Sequence, residues 1–124
     1  MLVPTPKLVD ALVQEVKKGE VVTIPLLRQT LARRFQADVT CPLTTGIFLR
    51  ICAETAEEDK ATGRQEITPY WRVLTANGAL NPKFPGGVQE QARSLEAEGH
   101  RLIYHASKKI PVVERYQDYL ALLR

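Results

Sequence analysis

Three short junctions, Thr5-Pro6, Thr23-Ile24-Pro25 and Thr40-Cys41-Pro42, partition the first half of the chain. Proline lacks an amide hydrogen and its ring fixes φ, so it suits the first turn of a helix and disrupts the interior. Each junction therefore reads as a helix start, with a hydroxyl nearby to cap the free amides. After the first, Leu8, Val9, Leu12, Val13 and Val16 recur at helical spacing, and Lys17-Lys18-Gly19 supplies cations and a glycine stop. The second helix carries Leu27, Leu31 and Phe35 as a stripe, with Arg28, Arg33 and Arg34 off it. The third carries Leu43, Ile47, Ile51 and Cys52 behind a short connection from Ala37 to Cys41. Two short helices so joined, the second opening on polar Thr44 and Thr45, fit either a helix-turn-helix or a small helical bundle. Pattern alone leaves both open.

The acidic run Glu54-Thr55-Ala56-Glu57-Glu58-Asp59 ends this third helix, and Lys60 to Glu66 is polar without an apolar period, so it reads as a solvated connection. Arg72 to Leu74 fits a short strand closed by Asn77-Gly78, a strong two-residue turn signal. Asn81 to Gly87 is turn-rich, and Val88, Ala92 and Leu95 mark a helix that stops at Gly99. Arg101 to Tyr104 suggests a second strand, Lys108-Lys109 a basic turn, and Val112 to Leu123 a final helix with Val113, Tyr116, Leu120 and Leu123 inward. Helices first, then short strands mixed with helices, predict one α+β domain over residues 1–124, mainly helical.

A chain of 124 residues is long enough to bury a core without metal or disulfide staples. Cys41 and Cys52 are both expected on the third helix, about 16 Å apart at 1.5 Å per residue, beyond disulfide reach. Reduced thiols are expected. His100 and His105 lie far from both cysteines, no zinc-ligand spacing is present, and no metal or cofactor is expected. No run approaches the roughly 18 apolar residues of a membrane span, and the first residues lack a secretion signal, so a cytoplasmic location is expected. The net charge of +3 favours a polyanionic partner but is too small to identify one. A phosphate-facing surface should avoid Glu54 to Asp59.

Pro69-Tyr70-Trp71-Arg72-Val73, followed by Asn77-Gly78, Phe84-Pro85-Gly86-Gly87 and Glu98-Gly99-His100, resembles the DNA-binding domain of 6-O-alkylguanine-DNA alkyltransferases and, more closely, the alkyltransferase-like proteins. Gly19 to Thr23 is similar to the family's entry to its helix-turn-helix, and Thr45 to Arg50 to its recognition helix. The resemblance implies a winged helix-turn-helix that meets duplex DNA through the minor groove and turns a damaged base into a pocket. It also implies where the transferase chemistry would stand. The nucleophile is a thiolate, activated by a histidine and a glutamate. Tyr70 occupies the cysteine position, Trp71 the histidine position, and Glu98 matches the glutamate. A phenol with a pKa near 10 and an indole without a basic nitrogen cannot run that relay, so alkyl transfer is not expected.

Candidate DNA contacts are Leu43, Thr44, Thr45, Arg50 and Arg72, because helix N-termini and arginines favour phosphate. Leu43 stands where the family has its finger arginine, and an apolar side chain can also wedge between bases. Candidate base-pocket residues are Ile24, at the position of a family tyrosine, with Tyr70, Trp71 and Phe84. Core packing explains the aromatic residues as well, and a solvated face explains the threonines. Cys41, at a helix start that lowers a thiol's pKa, carries a weaker enzymatic alternative. The expectation is a non-catalytic, monomeric DNA-binding protein, with a repair protein as a partner that the family reading allows. The alternative is a protein-interaction module that kept the fold and lost DNA.

Overall fold

Thr5 and Thr23 cap the first two helices through their side-chain oxygens, which accept from the Leu8 and Leu26 amides at 3.3 Å each. The computed structural model describes residues 5–37, 41–64, 66–104 and 110–123. The capped helices are α1 (Pro6–Gln14) and α2 (Ile24–Arg34). A third, α3 (Pro42–Ala61), extends through the acidic run. Thr40, Lys108 and Lys109, read above as cap and basic turn, lie outside the described residues.

Pattern and burial disagree on α3. The buried line is Thr45, Leu49, Cys52, Ala53 and Ala56. Of the four residues that suggested the helix, Cys52 is buried, while Leu43, Ile47 and Ile51 face outward with exposures of 73%, 49% and 41%. Spacing by four identifies a helix but does not say which of two apolar faces is buried.

Short strands tie the helices together. β1 (Val22–Thr23), unpredicted, runs directly into α2 and pairs in parallel with β2 (Val73–Leu74), Val22 against Val73. Before β2 the chain makes one 3-10 turn, Tyr70–Arg72, where a strand beginning at Arg72 was expected. Helix α4 (Gly87–Ala97) follows, then β3 (Leu102–Ile103) and β4 (Val112–Val113), an antiparallel pair.

The final helix expected over Val112 to Leu123 is a correction: β4 occupies its start and Tyr116–Tyr119 is a 3-10 turn. Arg115 has φ +53°, which a continuous helix does not allow, and beyond the turn the chain is extended. Its backbone is used otherwise. Val21 N–H donates to Tyr119 C=O at 2.8 Å and Ala121 N–H to Val21 C=O at 2.9 Å, so the segment lies along the other edge of β1. Arg33 clamps it by donating to the Leu123 carbonyl at 2.8 Å. Of the four expected inward residues, Val113 and Leu123 are buried, Tyr116 is half-buried and Leu120 is exposed.

The core has two parts. Residues of α1, α2 and α3 form one, around Leu12, Val13, Leu27 and Leu49. Val21, Leu74, Leu80, Leu95 and Val113 form the other. Trp71 packs against both.

Candidate functional site

The Tyr70–Arg72 turn sends its three consecutive side chains to two carboxylates, one on α3 and one just past α4. Tyr70 is 3% exposed, and its hydroxyl donates to the Glu57 carboxylate on α3. Its ring meets Trp71 edge-on at 5.5 Å and Phe84, also 3% exposed, at 5.3 Å. Burial first, and the adjacent Glu57 carboxylate second, push the phenol above its ordinary range. Buried and hydrogen-bonded, the phenol packs as part of the core.

Trp71 and Arg72 converge on Glu98 just past the end of α4. The indole Nε1–H donates to Oε2 at 3.1 Å, Arg72 Nε donates to Oε1 at 3.0 Å, and Arg72 Nη2 to Oε2 at 2.7 Å. Arg72 Nη1 also donates to the Val16 carbonyl at 2.6 Å, which ties this cluster to the loop after α1. Burial alone would raise the Glu98 carboxyl, but the bonds from Arg72 and Trp71 and the guanidinium charge together hold it below the usual carboxylate range. The pair is largely desolvated, with side-chain exposures of 13% and 8%. Such an ion pair holds elements in register and is costly to break from one side. It leaves Arg72 committed inward, so the predicted phosphate contact at this position is corrected. The remaining peptide groups of the turn are held by buried Gln91, whose amide donates to the Trp71 and Val73 carbonyls at 3.1 and 3.0 Å.

The α3 candidates separate. Thr45 is fully buried and donates its hydroxyl to the Cys41 carbonyl at 2.7 Å, so it too is corrected as a phosphate contact. Thr44 is half-buried and donates to Cys41 Sγ at 3.1 Å. That bond, joined by backbone amides and the charge of Arg28, lowers the Cys41 thiol below its ordinary pKa. Leu43 and Arg50 face solvent, with Arg50 Nε 3.6 Å from Glu54. Arg34 is bonded to Glu15 at 2.6 Å, so two of the three basic residues predicted off the α2 stripe, Arg33 and Arg34, brace their own chain. Ile24 is half-buried against the first core cluster.

The structure thus gathers Tyr70, Trp71 and Phe84 into one aromatic cluster, while Leu43, Thr44 and Arg50 stand on the first three turns of α3. Glu57 and Gln91 were not foreseen. Glu57 was legible in principle: it lies four and eight residues beyond buried Ala53 and Leu49, on the face that packs inward.

A concavity of about 810 Å³ opens between α1, α3 and residues 66–72. Asp10, Ile51, Cys52, Ala56, Ile67 and Trp71 form much of its wall. Asp10 accepts from the Thr68 hydroxyl and from the Gln14 amide, each at 2.6 Å. Burial, with Asp10 nearby, pushes the Cys52 thiol up to about 11, so it is protonated at neutral pH. The lining carries Asp10, Asp59 and Glu66 against Lys7, Arg64 and Arg72, and is therefore not a cationic pocket. Both thiols are free, and no cluster of three metal-ligating side chains occurs among the described residues. No helix among them is long and apolar enough to cross a membrane.

No family model and no curated protein matches the sequence. The structure is similar to that of Atl1 from S. pombe, solved in complex with damaged DNA containing O6-carboxymethylguanine, with a TM-score of 0.63 at 18% identity over 94% of each chain. The α+β fold expected from the order of helices and strands is the fold observed.

Proposed function

We propose that this chain is a non-catalytic, alkyltransferase-like protein that binds duplex DNA and cannot accept an alkyl group. The observation that carries the reading is the fold shared along nearly the whole chain with a protein solved on damaged DNA, combined with a buried phenol at the position where the resemblance puts the nucleophile. The α2–α3 pair would form the helix-turn-helix, β3–β4 the wing, and Leu43, Thr44 and Arg50 the part of α3 nearest the duplex. Tyr70 and Phe84 fill the base position with their own rings, so discrimination between guanine and 6-O-methylguanine is expected to be small. The protein acts as a monomer in the cytoplasm, within a repair setting.

Two measurements test this. Incubation with a duplex carrying labelled 6-O-methylguanine leaves protein mass unchanged; a mass increase of one methyl group ends the non-catalytic reading. Anisotropy of labelled duplexes, matched except for the lesion, gives affinities within about threefold of each other that weaken steeply with salt, as phosphate binding must. A preference of about tenfold for the lesion would mean that the Tyr70 and Phe84 rings vacate the base position. No affinity at low salt would remove DNA altogether.

A second reading has its own support. Leu43 and Ile47 are exposed aliphatics where a DNA-facing helix would carry cations, and Arg50 sits beside Glu54. A protein-interaction module on this fold predicts no duplex binding at any salt concentration.

A further inference from the structure

The concavity between α1, α3 and residues 66–72 has no part in the DNA reading, and its chemistry differs from that of a phosphate-facing surface. Its wall is apolar at Ile51, Ala56 and Trp71, and its carboxylates are Asp10, Asp59 and Glu66. Asp59 is balanced by Arg64 at 3.4 Å. Asp10 is held by the neutral donors Thr68 and Gln14. Glu66 is exposed and forms no ion pair among the described residues. Arg72 is already matched by Glu98, which leaves Lys7 and Arg64 against three carboxylates.

An apolar track leads into this hollow, whose lining carries one carboxylate in excess once the Arg72–Glu98 pair is set aside. Leu43, Ile47 and Ile51 stand four residues apart, so they line one face of α3, and Ile51 belongs both to that ridge and to the wall of the concavity. Three outward aliphatics in a row are more than scattered surface apolarity, and exposed apolar surface edged by charge is the usual form of an interaction site. The sign of the edge selects the partner. A lining with one carboxylate in excess favours a cationic chain over an acidic one.

We propose that this concavity docks a short, basic, amphipathic segment of a partner protein, seating an apolar side chain against Ile51 and Trp71 and its cations against Asp10, Asp59 and Glu66. The volume, about 810 Å³, accommodates a few side chains rather than a folded domain. Of the ridge, only Ile51 lines the concavity itself, and none of Leu43, Thr44 and Arg50, the residues assigned to the duplex, does, so the seat is distinct from the proposed DNA face.

Trp71 is the only tryptophan in the chain, which makes its emission a reporter of this site. The full chain is titrated with a helix-forming peptide of leucine and lysine that lacks aromatic residues. A leucine–glutamate peptide of equal length and a plain duplex serve as comparison probes. The expected result is a saturable change in emission with the lysine peptide and none with the glutamate peptide. Binding weakens by about fivefold or more in Glu66→Lys and in Ile51→Asp. Both positions are exposed, and unchanged circular dichroism and Tm establish that the variants fold. Absence of a saturable change, equal affinity in both folded variants, or an equal response to the glutamate peptide would overturn the proposal. So would competition between duplex and lysine peptide for the Trp71 signal. Failure of the DNA reading appears elsewhere, in the anisotropy of labelled duplex, and leaves this result untouched.

Discussion

Arg72 shows how one residue can match a functional motif and still serve the fold. Its guanidinium makes a forked contact to Glu98 and reaches the Val16 carbonyl, so it fastens the Tyr70–Arg72 turn to the end of α4 and to the loop after α1. Arg72→Ala strands a buried carboxylate and is expected to cost about 3–5 kcal/mol, read as a lower urea midpoint with unchanged slope. A variant within experimental error of the parent would mean that the pair carries no net structural role. His100 behaves oppositely. It is 5% exposed, neither ring nitrogen has a hydrogen-bond partner among the described residues, and its ring meets Tyr119 edge-on at 5.0 Å. Burial lowers its pKa from the ordinary 6.5, with Glu98 opposing that shift and Arg72 reinforcing it. The unfolded chain therefore takes up this proton first, and stability falls as pH drops below about 6.5 toward the folded value. Glu98 adds a separate loss at lower pH, below its ordinary 4.5, because its folded pKa is depressed. His100→Phe keeps the ring contact without a titrating nitrogen, so its Tm between pH 7 and pH 5 is expected to be flatter than the parent's. Parallel Tm curves would exclude His100 as the source of that slope.

Among the elements, α3 separates what pattern reveals from what it hides. Leu49 is 1% exposed and Leu43 is 73% exposed, although both lie on apolar lines of the same helix. Leu49→Ala is expected to cost about 2–5 kcal/mol, because it removes buried methyl groups and leaves a cavity, while Leu43→Ala stays within about 0.5 kcal/mol. Chemical denaturation checks both, and a costly Leu43→Ala would mean that the ridge is covered in solution. The helix starts were legible because capping and proline chemistry are local: Thr5 and Thr23 act on amides three residues away. Residues 112–123 were misread for the converse reason. Their apolar spacing suits a helix, but β3 supplies a partner for Val112 and Val113, and the edge of β1 supplies one for the chain around Leu120. Neither partner lies nearby in sequence. The aromatic site was half legible: the motif located Tyr70, Trp71 and Glu98, whereas Glu57 sat in an acidic run read only as the end of the third helix, and only the inward face of α3 reveals it.

For the whole molecule, the position of Trp71 has consequences beyond any single contact. The two core clusters contain few residues in common reach, and Trp71 packs against both while its Nε1–H holds Glu98. Arg72 spans the same boundary by reaching the Val16 carbonyl, and the strand pair β1–β2 crosses it through the backbone. A domain joined in this way has no cheap route to opening one half alone, because exposing either cluster strips apolar contacts from the same indole and strains the same buried ion pair. Unfolding is therefore expected to be a single cooperative transition. Urea titration followed by Trp71 emission and by far-ultraviolet circular dichroism should give coincident curves, since the indole reports the boundary and the dichroism mostly the helices. Trp71→Ala removes the bridge together with about 3–5 kcal/mol of packing. If the bridge is what couples the halves, this variant loses cooperativity as well as stability: dichroism broadens and its apparent slope falls. A variant that is merely less stable, with the slope retained, would place the coupling in the β1–β2 pair and the Arg72–Glu98 contact instead.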